Sequence, residues 1–286
     1  MIYSAQNPFG IFLKQVFKGL GQIMLQENSV TGFLFLLGIS YGSFNMGLAA
    51  LLASACGTLT ARSLKYNSSE IDKGLYGFSA ALTGVALVLF LKPILMTWIF
   101  IIIGSISATV IQHFFIKRNL PLFTLPFVLV TWLLLFLSHH FLPQVLHQLP
   151  ESLVTDDNLY FFAIKGFGQV IFQDKLLCGT IFLIAVFINS PVAAFYGLMG
   201  AFLGGILAFC FSIPVQDIGA GLFSFNAVLC AIVFANKRIK DGLWAIIAVL
   251  LSFIVSLFMF HNNFIQLTFP FVAASYIVIR LKNTLA

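Results

Sequence analysis

GLYGFSAALTG, residues 74–84, returns as GLFSFNAVLCA at residues 221–231. Aligned at a fixed offset of 147, Glu70–Gly84 and Asp217–Ala231 share six identities in fifteen positions: Ile, Gly, Leu, Phe, Ala and Leu. The same offset carries Gly21-Gln22 onto Gly168-Gln169, Gln26 onto Gln173 and Gly32 onto Gly179. Two blocks in one register mark the chain as a duplication, with a first repeat over residues 1–147 and a second over 148–286.

What is duplicated is a membrane protein. Hydrophobic residues make up 60% of the sequence and charged residues 8%, against about a quarter charged in soluble domains. Apolar runs fill the chain, leaving no room for a separate soluble domain. The net charge of +6 sits in basic residues at the ends of apolar runs, a pattern of juxtamembrane anchors that excludes a nucleic-acid groove. Cys56, Cys178, Cys210 and Cys230 have no close spacing and read as small apolar residues, not as redox or metal ligands. The N-terminal MIYSAQNPFG lacks the basic region and apolar core of a cleaved signal.

Residues 8–26 are too short, and too interrupted by Lys14, Lys18 and glycine, for a full crossing. They predict a re-entrant half-helix; an interfacial amphipathic helix is the alternative. Five apolar runs follow, near 30–43, 45–61, 74–91, 94–116 and 122–141, and the polar stretch 142–158 reads as the linker between repeats. The second repeat predicts a half-helix at 157–173 and spans near 176–188, 192–213, 218–235, 242–260 and 264–281. Thr124 and Pro126 match Thr268 and Pro270 at an offset of 144, which implies a three-residue deletion near the last linker. The expected fold is therefore an all-α integral membrane protein of ten spans and two half-helices.

Five spans return the chain to the opposite side, so the repeats should be inverted. With the N-terminus inside, twelve Lys and Arg fall inside and only Lys92, Lys165 and Lys175 outside. Both termini are expected to be cytoplasmic.

No acidic residue falls in the middle of an apolar run, and His113 is the only histidine well inside one. That argues against an ion-coupled pump, a charged solute, or an intramembrane enzyme with a nucleophile–base pair or metal cluster. What remains is neutral polar chemistry beside aromatics. Gln22 and Gln169 occupy equivalent positions in the two half-helices, and Thr124 and Thr268 each precede a Pro-Phe pair. With free backbone carbonyls they would form a row of acceptors. Phe78 and Leu82 are four apart, as are Phe225 and Leu229, so each pair shares a helix face. The motif glycines should allow close backbone approach to the partner repeat, setting the two faces opposite each other as a flat slot. Such a slot fits a planar neutral solute rich in N–H donors, urea being the simplest. The alternative is small-residue helix packing with the aromatics facing lipid.

These residues carry a resemblance. GQIMLQENSVTG at 21–32, GLYGFSAALTG at 74–84, LPLFTLPF at 120–127, GQVIFQ at 168–173 and TFPF at 268–271 make the chain similar to the urea transporter family, as a bacterial-type member, over nearly its full length. The resemblance implies an inverted-repeat channel in a bacterial inner membrane, assembled as a homotrimer with one pore per subunit. It implies passive conduction of urea, with no cofactor. Other small amides, water or ammonia would share the pore. Gln22 and Gln169 would lie on the oxygen side of two solute sites, Phe78, Leu82, Phe225 and Leu229 in the walls together with Leu25 and Phe172, and Thr124 and Thr268 at the narrow middle. The sequence departs from the family pattern at Ser29, Leu176, Phe264-Ile265 and Ser79, the last standing opposite Asn226. A proton-coupled secondary transporter of a small neutral amide is the alternative function.

Overall fold

The computed structural model describes residues 7–147 and 156–285, and of 156–158 the backbone alone. The part of the expected linker at 148–155 lies outside the described residues. Those described are helical, with no strand beyond a single bridge between Leu91 and Leu146.

Among the described residues fourteen α-helices follow one another in two sets of seven. The first set is α1 (Pro8–Gly21), α2 (Ser29–Gly42), α3 (Phe44–Ser63), α4 (Ser68–Asp72), α5 (Phe78–Phe90), α6 (Leu95–Lys117) and α7 (Leu125–Phe141). The second is α8 (Phe162–Gln169), α9 (Leu176–Asn189), α10 (Pro191–Cys210), α11 (Val215–Gly219), α12 (Phe225–Val233), α13 (Ile239–His261) and α14 (Phe269–Leu285). Five of the seven pairs have equal lengths, at 14, 20, 5, 23 and 17 residues. The exceptions are α1 and α8, and α5 and α12.

Local chemistry sets the boundaries. Asn7 accepts from the Phe9 amide ahead of Pro8 and opens α1; Asn28 accepts from Val30 and Thr31 and opens α2. Ser43 and Ser190, equivalent by the 147 offset, cap α3 and α10. The ten residues with positive φ form five equivalent pairs: Leu25/Phe172, Lys65/Ser212, Gly74/Gly221, Asn119/Asn263 and Phe123/Leu267. The duplication thus extends to backbone turns where side-chain identity has been lost.

Four helices, α3, α6, α10 and α13, are each long and apolar enough to cross a membrane. At 1.5 Å per residue, 20 to 23 residues reach about 30 Å or more. The α1–α2 pair qualifies jointly but is bent by 75° at the Gln22–Met24 3₁₀ turn and the loop after it. The expected run at 74–91 becomes helical only from Phe78, because Gly74 takes φ +77° and residues 74–77 are a turn. Outward faces of α6 and α13 carry Ile99, Ile103, Ile247, Ile254 and Phe258, all exposed, while Gly104, Ala108, Ala248 and Ser252 face inward. An apolar exterior over a small-residue interior is the arrangement a bilayer solvent selects.

Two expectations need correction and a third gains detail. The deletion lies before α13, not near the last linker: Leu95 and Ile239 are already 144 apart, and the helix preceding them, α12, is shorter than α5. The start of the expected linker, residues 142–147, is tied down. Lys92 N donates to Val145 O and His147 N to Phe90 O, both at 2.8 Å, tying this stretch to the end of α5. The motif glycines approach their own repeat rather than the partner. A Cβ on Gly74 would stand 2.5 Å from Gly19 N, and one on Gly221 2.6 Å from Gly166 N. With positive φ as well, both positions require glycine, and each seats α5 or α12 against the thin stretch of α1 or α8.

Candidate functional site

The two Thr-Pro motifs meet. Phe123 and Leu267 take left-handed conformations (φ 44° and 45°), turning the chain so that Thr124 and Thr268 stand at the first turns of α7 and α14. Pro126 and Pro270 then follow, lacking N–H groups that the first turn would leave unpaired anyway. Thr124 Oγ1 and Thr268 Oγ1 are 2.6 Å apart, one hydroxyl donating to the other, and the residues are 2% and 1% exposed. Aromatic pairs flank the threonines in sequence: Phe123 packs on Phe271 with ring centroids at 5.1 Å, and Trp132, tilted against Phe269, donates its indole N–H to Ile265 O at 2.9 Å.

The glutamine motifs end their half-helices. Gln22 opens the 3₁₀ turn after α1, and its Nε2 donates to Lys73 O at 2.9 Å, leaving Oε1 to accept from another donor. Gln169 is the last residue of α8. Three residues beyond each, Leu25 and Phe172 turn left-handed (φ 61° and 57°) and lay their side chains on the main core. Phe172 meets Phe127 of the first repeat edge to face, at 6.2 Å.

Phe78 and Phe225 begin α5 and α12, with Leu82 and Leu229 one turn on; all four are buried. Gln169, Phe172 and Phe225 line one cavity of about 290 Å³, together with Leu267, the neighbour of Thr268. In the second repeat Gln169, Phe172 and Phe225 therefore share one space, while Leu229 and Thr268 do not line it. Gln22, Leu25 and Phe78 are the first-repeat equivalents of the three lining residues at the offset of 147, and Leu82 is the equivalent of Leu229.

Asn226 is a residue whose role sequence reasoning missed, beyond its being a family feature. Its Nδ2 donates to Leu267 O and its Oδ1 accepts from Phe271 N, both at 3.3 Å. It thus clamps the left-handed turn that presents Thr268. Ser79, its equivalent, is shorter by an amide group and instead donates to Gln112 Oε1 at 3.3 Å. A polar residue at one fixed position in an otherwise apolar helix was the available signal.

A second missed group stands behind Phe78. The Tyr76 hydroxyl donates to Glu70 Oε2 at 2.5 Å and lies 2.9 Å from His113 Nδ1. With its single proton given to Glu70, the phenol oxygen accepts from Nδ1–H. Tyr66 stacks on the His113 ring at 3.6 Å. In the second repeat Phe223 replaces Tyr76, and Asp217, the equivalent of Glu70, has its carboxyl pushed up by burial. Tyr76→Phe takes a hydrogen-bond partner from half-buried Glu70 and His113, at about 1 kcal/mol. The expected result is a melting temperature lower by several degrees in a thermal unfolding scan; an unchanged value would mean that both partners reach water.

Among the described residues no group of three or more His, Cys, Asp and Glu side chains is placed to hold a metal. The site offers hydroxyls, amides, carbonyls and aromatic faces.

The model of the family described as "Urea transporter" matches residues 13–283. The chain belongs to the urea transporter family. Similar curated proteins include urea transporter 1 of Rattus norvegicus, 29% identical over 238 residues, and its counterparts from Ovis aries at 28% and Capra hircus at 27%. Each match covers 77% of this chain and 62% of the relative, so the chain spans a little under two thirds of these proteins' length. The family is one of membrane transporters rather than enzymes.

Proposed function

We propose that the protein conducts urea passively across a bacterial inner membrane, through a narrow path that runs past Gln22, Thr124, Thr268 and Gln169. The observation that carries this reading, within a urea transporter family member, is the buried contact between Thr124 and Thr268. Equivalent residues of two repeats touch where a pseudo-two-fold axis passes between them. Phe35 and Phe182, also equivalent, pack together with centroids at 5.2 Å and support the same axis. With the Lys and Arg bias, this favours inverted repeats, each of five spans and one half-helix, with both termini cytoplasmic.

Urea loses water on entry and regains bonds from acceptors along the path, Gln Oε1, Thr Oγ1 and half-helix carbonyls. Its flat faces lie on Phe78 and Leu82, then on Phe225 and Leu229, with Leu25 and Phe172 at the ends. No protein group changes protonation, so transport is downhill. Small amides, water and ammonia are candidate co-permeants, and the assembly is a homotrimer in lipid.

Stopped-flow urea flux into liposomes tests the reading, with thiourea and water as comparison solutes. Gln169→Leu should lower urea flux about tenfold while leaving assembly intact, because one acceptor is lost at nearly constant volume. Normal flux in that variant would remove Gln169 from the path. Net accumulation driven by a pH gradient would favour the proton-coupled alternative.

A further inference from the structure

The packing of α10 on α13 leaves a trough of about 770 Å³ on the outside of the molecule. Small residues line its floor, glycine at 200 and 242 and alanine at 231 and 245, and so deepen it, while exposed Met199 and Ile246 form walls. The lining on α13 runs from residue 239 to 249. At 1.5 Å per residue that is about 15 Å, the depth of one leaflet of a hydrocarbon core about 30 Å thick.

One end of the trough is chemically different from the rest. Lys237 and Arg238 close it, both exposed, and neither forms an ion pair among the described residues. The nearest carboxylate in sequence, Asp241, is 8% exposed and engaged by Lys282 at 2.5 Å, so it does not neutralise them. Tyr196 adds a hydroxyl here, 3.5 Å from where a Cβ on Gly242 would stand. The equivalent trough between α3 and α6, about 510 Å³, is lined by residues such as Leu52, Leu59 and Ile106 and by no charged side chain.

We infer that the α10–α13 trough is a binding site for an anionic glycerophospholipid. One acyl chain lies along the floor, and the phosphate sits between Lys237, Arg238 and the Tyr196 hydroxyl. An apolar channel one leaflet long that ends in two uncompensated cations complements that class of molecule. A zwitterionic lipid brings its own cation to the same place and gains less. The α3–α6 trough takes acyl chains with no preference for headgroup. This inference concerns the outer surface and is independent of what the path conducts.

The test is lipid retention by native mass spectrometry of the purified full chain, offered phosphatidylglycerol or phosphatidylcholine with identical acyl chains. Wild type should retain phosphatidylglycerol over phosphatidylcholine by roughly thirtyfold, since each interfacial cation contributes about a factor of five. Lys237→Gln with Arg238→Gln should abolish most of that preference yet still bind both lipids weakly. Lys117→Gln with Arg118→Gln, a basic pair at the end of α6 outside the trough, should leave it unchanged. Gly242→Phe should fill the trough and lower retention of phosphatidylglycerol with both cations intact. Four results would overturn the inference: no headgroup preference in wild type; equal loss in the Lys117/Arg118 control, which would mean bulk charge attraction; competition by water-soluble glycerol phosphate, which would mean a site for a free anion; or a change in oligomeric state with Gly242→Phe, which would mean that a second copy covers the trough.

Discussion

Thr268→Val is expected to cut urea flux at least about tenfold. Valine keeps the β-branched shape and removes only the hydroxyl, so Thr124 Oγ1, 2.6 Å away and 2% exposed, is left buried without its partner. An orphaned buried hydroxyl costs about 1–3 kcal/mol, and about 1.4 kcal/mol on a barrier is tenfold in rate. The single variant alone does not distinguish a structural bond from a contact made by the moving solute. The double variant Thr124→Val/Thr268→Val does. Removing both partners of a purely structural bond is nearly neutral, so flux would recover toward wild type. A solute that uses the hydroxyls finds two fewer acceptors, and flux stays at or below the single-variant level. Stopped-flow measurement of all four proteins gives the coupling directly. Recovery in the double variant would withdraw the threonines from solute contact.

Gly32→Ala is expected to destroy the assembled protein. A Cβ there would stand 1.7 Å from Phe17 O and 2.7 Å from Phe17 C, both backbone atoms of α1. No rotamer change relieves this, so α1 and α2 must separate, at about 3 kcal/mol or more from a total stability of about 5–15 kcal/mol. Gly179→Ala meets the same obstacle at Ile164 O, 2.2 Å away. Gly10→Ala is the control, its Cβ meeting only Asn7 Cβ at 4.0 Å. Size-exclusion profiles should show loss of the folded peak for the first two and a wild-type profile for the third. A monodisperse, thermally unshifted Gly32→Ala would mean that the α1–α2 crossing is looser than drawn.

The apolar helices and the equivalence of Thr124 with Thr268 were legible in the sequence; that the two hydroxyls touch was not. A polar residue recurring at one offset in an apolar chain stands out against its background. Offsets state which residues are equivalent, however, and not which ones touch. The glycines of residues 74–84 therefore point to the wrong partner when read by offset: Gly74 and Gly77 fit against Gly19 where α1 is thin, and Gly84 fits against Ala49 and Ala53 of α3. The delayed start of α5 was hidden because no charged residue breaks the run at Gly74–Gly77; the positive φ at Gly74 holds those residues out of the helix. Residues 142–147 are tied down through backbone amides, which composition does not report. Asn226 reaches Leu267 and Phe271, 41 and 45 residues away, and Tyr76 reaches His113, 37 away, distances at which only packing decides contact. Their signal was asymmetry, Asn against Ser and Tyr against Phe, at positions where the two repeats otherwise agree.

The contact between Thr124 and Thr268 also bears on inheritance. In a pair of identical half-length chains, one codon would govern both sides of such a contact, and every substitution would strike it twice. Within one chain each side has its own codon, so half of the contact can vary while the other half is held. The chain already shows this freedom close by: Gln266 stands where the first repeat has Leu122, and Asn226 where it has Ser79.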